Sequence, residues 1–250
     1  MNRKALIISN PGELGDMHYC KGVFKDVENY RNFLLSPIGG LWTSSEIENL
    51  HKPSLLKVRN CLSGLSGYGY VFIVFTGHGW YSKERGSTIL QLSKGQDFDS
   101  AELRRGALKQ TVILDCCREI HTSALLSKMV LENAKIALKI HPDRCRRYYD
   151  QRIVECENGL VMLYSCSRGE VSGDDSERGG YYSYNLIEDV RRVANYVDID
   201  TNNGNYSICS VVQAHEQTEE SVSKISGGRQ HPQIEKPRTD KHCFPFCIVA

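Results

Sequence analysis

The chain holds 250 residues, with 31 Lys and Arg against 30 Asp and Glu for a net charge of +1, and with 40% apolar and 24% charged side chains. A single unit of that length buries roughly three quarters of its unfolded surface and needs no covalent staples. The ordinary composition excludes disordered, collagenous and coiled-coil classes, and the balanced charge leaves no electrostatic footprint for nucleic acid.

In chain order, the first apolar run, Lys4–Ser9, lacks period-2 polarity and predicts a strand buried on both faces. Val23, Val27, Tyr30, Phe33 and Leu34 then recur at helical spacing, and Ser54 is placed to cap a helix over Leu55–Leu62. Gly64, Gly67 and Gly69 punctuate the loop before a second strand, Tyr70–Phe75. Glycines of a phosphate cradle follow a strand instead of preceding it, so no cradle is expected there. Ser100 with Leu103 and Leu108 outlines a short helix ahead of a third strand, Thr111–Asp115. Ala124–Ile140 starts helix-like and gives way to His141-Pro142-Asp143-Arg144-Cys145-Arg146-Arg147, so residues 141–157 read as an aperiodic, basic surface connector. A fourth buried strand, Leu160–Ser165, precedes helices over Tyr184–Tyr196 and from Ser207 to about Ile225. Strands alternating with helices predict an α/β fold around a mostly parallel sheet.

The ten cysteines are spread over a chain too long for a disulfide-stapled mini-domain, and Cys116 and Cys117 are direct neighbours, which points to a reducing, cytoplasmic setting. After Met1-Asn2-Arg3-Lys4 only Ala5–Ile8 is apolar before Pro11-Gly12, so no secretory leader is expected, and no run of 18 apolar residues predicts a membrane span. Asn205-Tyr206-Ser207 then reads as a chance sequon.

The chemistry sits at two strand ends. The second strand runs into Thr76-Gly77-His78-Gly79 and the third into Asp115-Cys116-Cys117-Arg118. Neighbouring parallel strands open their carboxyl ends on one crevice, so a His and a Cys there can meet as a thiol and its base. The imidazole favours the thiolate and later protonates a leaving amine. The glycines around His78 let the backbone approach a substrate, and the N–H groups of Gly79 and Cys117 could hold an oxyanion. The 39 residues from His78 to Cys117 fit one helix-containing crossover. Taken singly, either side chain is more often structural; their pairing carries the argument. Periodicity does not choose between Cys116 and Cys117.

These residues resemble the caspase-like cysteine peptidases. They are closer to metacaspases than to animal caspases, because Asp115-Cys116-Cys117 matches Asp-x-Cys, whereas the animal signature is Gln-Ala-Cys-x-Gly. The resemblance implies a caspase-like α/β/α sandwich in one domain over residues 1–250, with 1–140 like a large subunit and 158–250 like a small one. It also implies Cys117 as nucleophile and His78 as base. Lys21-Gly22-Val23-Phe24-Lys25-Asp26-Val27 resembles the family's Gly-x-x-x-Asp-Val, which implies that Asp26 and Asp115 line the S1 pocket. Two carboxylates facing a slot bind a guanidinium or ammonium, so P1 is expected to be Arg or Lys. Without the resemblance, Asp26 would read as a solvated helix face and Asp115 as a helix cap. Leu163–Ser167 and Gly179-Gly180-Tyr181-Tyr182-Ser183 resemble the small-subunit strand and the helix start after it, implying Ser165 and Ser167 as pocket wall. Gln230-His231-Pro232-Gln233-Ile234 resembles the closing segment, so the likeness spans residues 4–235.

The chain also departs from that pattern. Many metacaspases bind calcium through an acidic insertion after the catalytic His, but Trp80–Leu90 has Glu84 as its only acid, so no cofactor is expected, with calcium activation left as the alternative although the usual insertion is not seen. Asp174, Asp175 and Glu177 read as a solvated loop, and His242, Cys243 and Cys247 lack the second ligand pair of a zinc site. Arg118 stands where the family has His-Ser-Gly, which is expected to reshape the pocket mouth. Cys247-Ile248-Val249-Ala250 fits a prenylation motif, and with Cys243 it would supply the two lipid signals that stable anchoring needs. Otherwise the expected partners are protein or peptide substrates with a basic P1 residue and no nucleic acid. Arg144, Arg146, Arg147 and Arg152 are the candidate self-processing sites in the connector. The alternatives are a catalytically silent adaptor on the same fold and another thiol enzyme, such as an acyltransferase.

Overall fold

A computed structural model of the chain describes residues 1–120, 142–196, 207–238 and 244–249. The elements are β1 (Arg3–Asn10), α1 (Gly22–Leu35), β2 (Ile47–His51), α2 (Leu55–Ser63), β3 (Tyr70–Gly77), β4 (Gly79–Ser82), β5 (Ser87–Ser93), β6 (Gln96–Asp99) and β7 (Lys109–Asp115). They continue as α3 (Pro142–Glu155), β8 (Gly159–Tyr164), β9 (Asp174–Asp175), β10 (Gly179–Gly180), α4 (Tyr181–Tyr196), β11 (Ser207–Ser210), α5 (Val211–Ile225), β12 (Gln233–Glu235) and β13 (Pro245–Val249). Six strands form the central sheet in the order β12-β8-β7-β3-β1-β2, all parallel except β12.

The absence of period-2 polarity in the four expected strands has a direct cause, because both faces of the sheet are covered. In β1, Ala5 and Ile7 face one core while Leu6 and Ile8 face the other; in β3, Tyr70, Phe72 and Val74 alternate in the same way with Val71, Ile73 and Phe75. The first core is closed by α1, α3, α4, α5 and β13, and the second by α2 and the antiparallel sheet β4-β5-β6. The Ser54 hydroxyl accepts from Lys57 N and caps α2 as the sequence suggests.

Four expectations are corrected. Residues 142–155 are the helix α3, in place of an aperiodic connector. Cys145, Tyr149 and Ile153 recur every fourth residue on its buried stripe, hidden in the sequence by the intervening charges. Of the proposed processing sites, Arg146 forks onto Glu46 at 2.6 and 3.0 Å, Arg152 pairs with Glu155 at 2.7 Å, and Arg144 and Arg147 are exposed on the helix. Ser207 opens the strand β11, and α5 starts at Val211 with a capping box between Ser210 and Gln213. The crossover from His78 to Cys117 is a small antiparallel sheet and one 3-10 turn, Ser100–Arg104, in place of an α-helix. Cys247 is fully buried in β13 opposite Cys209, so its thiol is out of reach of a lipid-transferring enzyme while β13 is in place. Ala124–Ile140, Asn205, Tyr206, His242 and Cys243 lie outside the described residues. Among the described residues no helix is long and apolar enough to cross a membrane.

Candidate active site

The carboxyl ends of β1, β3, β7 and β8 lie at one edge of the sheet, with Asn10 opposite Gly77 and Thr76 opposite Asp115. The chain leaves β3 through Gly77, whose φ of 144° and whose approach to the Asn10 carbonyl leave no room for a side chain. Gly79 is equally confined, against the Cys116 sulfur and the Ile89 carbonyl. The glycines flanking His78 thus serve packing between strands, where the sequence suggested backbone access for a substrate.

His78 is half-buried, and its Nε2 lies 3.3 Å from the Pro11 carbonyl, which can only accept, so this nitrogen carries the proton and Nδ1 is the free base. Burial holds the imidazole below its ordinary pKa. Cys116 is buried, while the half-buried Cys117 thiol donates to the Ser172 carbonyl at 3.8 Å. Burial pushes the Cys117 thiol up to about 11. No hydrogen bond joins His78 to Cys117 in this arrangement; each is bonded to a backbone carbonyl instead.

The two expected pocket acids come together beside them. Asp26, on α1, accepts from the Thr76 hydroxyl at 2.5 Å and from Gly180 N at 2.8 Å. Burial, and next the neighbouring Asp115, raise its carboxyl well above the usual aspartate range. Asp115, at the end of β7, accepts from the Ser172 hydroxyl at 2.6 Å and from Ser183 through its N–H at 3.0 Å and its hydroxyl at 2.6 Å. Asp174 is half-buried and accepts from Gly22 N at 3.2 Å, and the buried Asp175 accepts from Glu177 N and Arg178 N. The expectation of a solvated acidic loop is corrected, because β9 and β10 fold this run against α1.

A caspase-domain family profile matches residues 2–243. The chain belongs to the caspase-domain family. Membership supports a cysteine-peptidase activity acting on protein substrates. No curated protein matches the chain by sequence. Among solved structures the chain is similar to the crystal structure of caspase-1 from Spodoptera frugiperda, with a TM-score of 0.58 and 11% identity over 94% of this chain and 86% of that one, a likeness of fold.

Within this caspase domain the two expected wall serines part company. Ser165 is buried with its hydroxyl on the Cys116 carbonyl at 3.3 Å, so it supports the cysteine loop from below. Ser167 turns the other way, its hydroxyl donating to the His231 carbonyl at 3.0 Å and its backbone N–H to the Glu170 carboxylate. Arg118 is buried rather than placed at a pocket mouth. It donates to Thr88 Oγ1 and the Cys166 carbonyl, and its guanidinium lies 4.0 Å from the centre of the Tyr164 ring. Sequence reasoning missed Thr76 as a ligand of Asp26, and it missed Ser172, Ser183 and Gln230 as the scaffold of Asp115. Thr76, Ser183 and Gln230 each stood in a quoted motif, without the role seen here, and Ser172 stood in none.

Proposed function

We propose that this caspase-domain protein is a cysteine endopeptidase of metacaspase-like type that cleaves after Arg or Lys, with Cys117 as nucleophile and His78 as base. The observation that carries the specificity is the pair of buried carboxylates, Asp26 and Asp115, next to the strand ends of Cys117 and His78 and without a salt-bridge partner among the described residues. Adjacent buried acids repel one another and disfavour an acidic ligand, and a guanidinium or ammonium relieves that repulsion.

In this reading the imidazole takes the Cys117 proton as the sulfur attacks the scissile carbonyl carbon, and the N–H groups of Gly79 and Cys117 receive the oxyanion. The imidazolium then returns its proton to the leaving amine as the C–N bond breaks. Water, deprotonated by the same imidazole, hydrolyses the thioester and restores the thiol. Because the thiol lies high and the imidazole low, the resting pair is neutral, and the ion pair forms only once the substrate carbonyl is in place. The chemistry calls for no cofactor, since Cys117 and His78 supply the electron pair and move the protons. All described cysteines are free, which fits a reducing, cytoplasmic setting. Self-processing at Arg144, Arg147 or Arg152 would require α3 to unwind first, since proteases take extended chain.

Fluorogenic peptides that differ only in P1 test the reading. Arg and Lys peptides are expected to be turned over and Asp peptides left intact. A preference for Asp would overturn the basic pocket, and a folded protein inactive on all three would favour the silent adaptor.

A further inference from the structure

One residue touches both the expected nucleophile and an expected pocket acid. The Ser172 hydroxyl donates to Asp115 Oδ1 at 2.6 Å, and the Ser172 carbonyl accepts the Cys117 thiol proton at 3.8 Å. The segment is held from its far side by Gln230, which is buried. Gln230 Nε2 donates to the Ser172 hydroxyl oxygen at 3.2 Å and to the Ser165 carbonyl at 2.9 Å, while its Oε1 accepts from Gly173 N at 2.9 Å. The Ser172 hydroxyl therefore accepts once and donates once, and its one proton is committed to Asp115.

This bonding has a consequence for the order of events. While the thiol proton points at the Ser172 carbonyl, it does not point at His78, and His78 Nε2 faces the Pro11 carbonyl. Attack on a substrate requires the thiol to leave Ser172. Resting on the basic-P1 reading, we infer that Ser172 is a positioning residue that couples occupancy of the specificity pocket to release of the Cys117 thiol. A P1 cation that engages Asp115 Oδ1 competes for the acceptor of the Ser172 hydroxyl. With that anchor lost, the segment at 172–173 shifts and its carbonyl lets the thiol turn toward His78. A ligand moves such an equilibrium only through its different affinity for the two arrangements, and here the difference is whether Oδ1 is free. Recognition of the correct P1 residue then appears in kcat as well as in KM.

The test uses agmatine, a guanidinium probe with no scissile bond, and follows alkylation of Cys117 by iodoacetamide with mass spectrometry at fixed pH. In the wild-type protein agmatine is expected to accelerate Cys117 alkylation by about threefold or more, as more of the thiol becomes available. Ser172→Ala keeps the carbonyl and loses the hydroxyl, so its alkylation rate should not respond to agmatine, while Ser172→Thr should restore the response. In hydrolysis, Ser172→Ala frees the thiol without a P1 cation, so the kcat advantage of an Arg peptide over a neutral-P1 peptide should shrink while its KM advantage remains. Competitive inhibition of that hydrolysis by agmatine reports pocket occupancy separately. If agmatine inhibits but leaves wild-type alkylation unchanged, slows it, or accelerates the Ser172→Ala protein equally, the coupling is overturned and the basic pocket stands. If agmatine does not inhibit and Arg peptides are not cleaved, the basic pocket falls, and the coupling with it.

Discussion

The two ends of the central sheet both bury charge, and they do so in opposite ways. At the amino-terminal edge Arg3 is fully buried with carboxylates, a carbonyl and an aromatic ring around it. Asp150 lies 3.1 Å away, Glu46 3.7 Å and the Gly40 carbonyl 3.1 Å, with the Trp42 ring centre at 4.3 Å. At the carboxyl edge Asp26 and Asp115 are buried beside one another, served by hydroxyls and N–H groups, with no salt bridge among the described residues. A buried cation with carboxylates beside it has its counter-charge within the fold, whereas two adjacent buried acids do not. On the proposed reading, the difference separates an element that holds the molecule together from one that binds a substrate's cation.

The comparison breaks most sharply at the sulfur. Cys117→Ala is expected to lower peptide hydrolysis by about 10⁴-fold or more, with His78→Ala comparable and Cys116→Ala retaining much of the rate. Equal losses in both cysteine variants, each shown to be folded by circular dichroism, would count against the assignment of the nucleophile. At the opposite edge the effect should fall on stability. Arg3→Met removes the buried guanidinium while Arg146 still pairs with Glu46 and the amino terminus with Asp150, and is expected to destabilise by about 3 kcal/mol. Denaturant unfolding measures this, and turnover per folded molecule should be unchanged. A drop in turnover without a shift of the unfolding midpoint would mean that the two edges are not independent.

Legibility followed the same division. The strands β1, β3, β7 and β8 were readable because burial on both faces writes a continuous apolar run, and their ends led directly to His78 and Cys117. The helix α3 was not readable, since Cys145, Tyr149 and Ile153 are three apolar positions scattered among Arg144, Arg146, Arg147, Asp150 and Arg152. The strands β4 and β6 are four residues each, too short for a period to show. Ser172 carries no local pattern, and Gln230 stood in the closing motif without a role. Ser172 takes its role from Asp115 and Cys117, and Gln230 from Ser172, Gly173 and Ser165, all more than fifty residues apart in the chain, which only the closed fold brings together.

The carboxyl edge also contains two groups whose titrations push stability in opposite directions. His215 is buried, with its Nδ1 2.7 Å from the Tyr182 hydroxyl, and burial lowers it from 6.5 to about 4. Below 6.5 the unfolded chain takes up a proton that the folded one refuses, so this contribution to stability is present above that pH and is lost as pH falls toward 4. The full loss is about 3 kcal/mol. The raised Asp26 carboxyl acts with the other sign, since the unfolded chain ionises first and stability declines as pH rises above the ordinary aspartate value of 3.8. Unfolding free energies measured between pH 4 and 7 should therefore rise less steeply in His215→Gln than in wild type. A slope unchanged by that substitution would remove His215 from the account.

Asp26→Asn gives the smallest effect and the finest test of the comparison. The amide keeps the shape and an oxygen to accept from Gly180 N or Thr76, but it cannot ionise, so Asp26 no longer offers a carboxylate to a P1 cation. Stability at neutral pH should hold or rise, whereas the loss of Arg3 lowers it. Meanwhile kcat/KM for Arg and Lys peptides should fall by roughly tenfold to a hundredfold, the worth of one hydrogen bond to a charged partner. Peptides with a neutral P1 residue should be almost unaffected, so the preference for cations narrows from the basic side alone. Parallel assays of Arg, Lys and neutral P1 peptides on both proteins read this directly. If Asp26→Asn instead destabilises the fold as Arg3→Met does and leaves the P1 preference intact, Asp26 is part of the scaffold, and Asp115 alone must face the substrate.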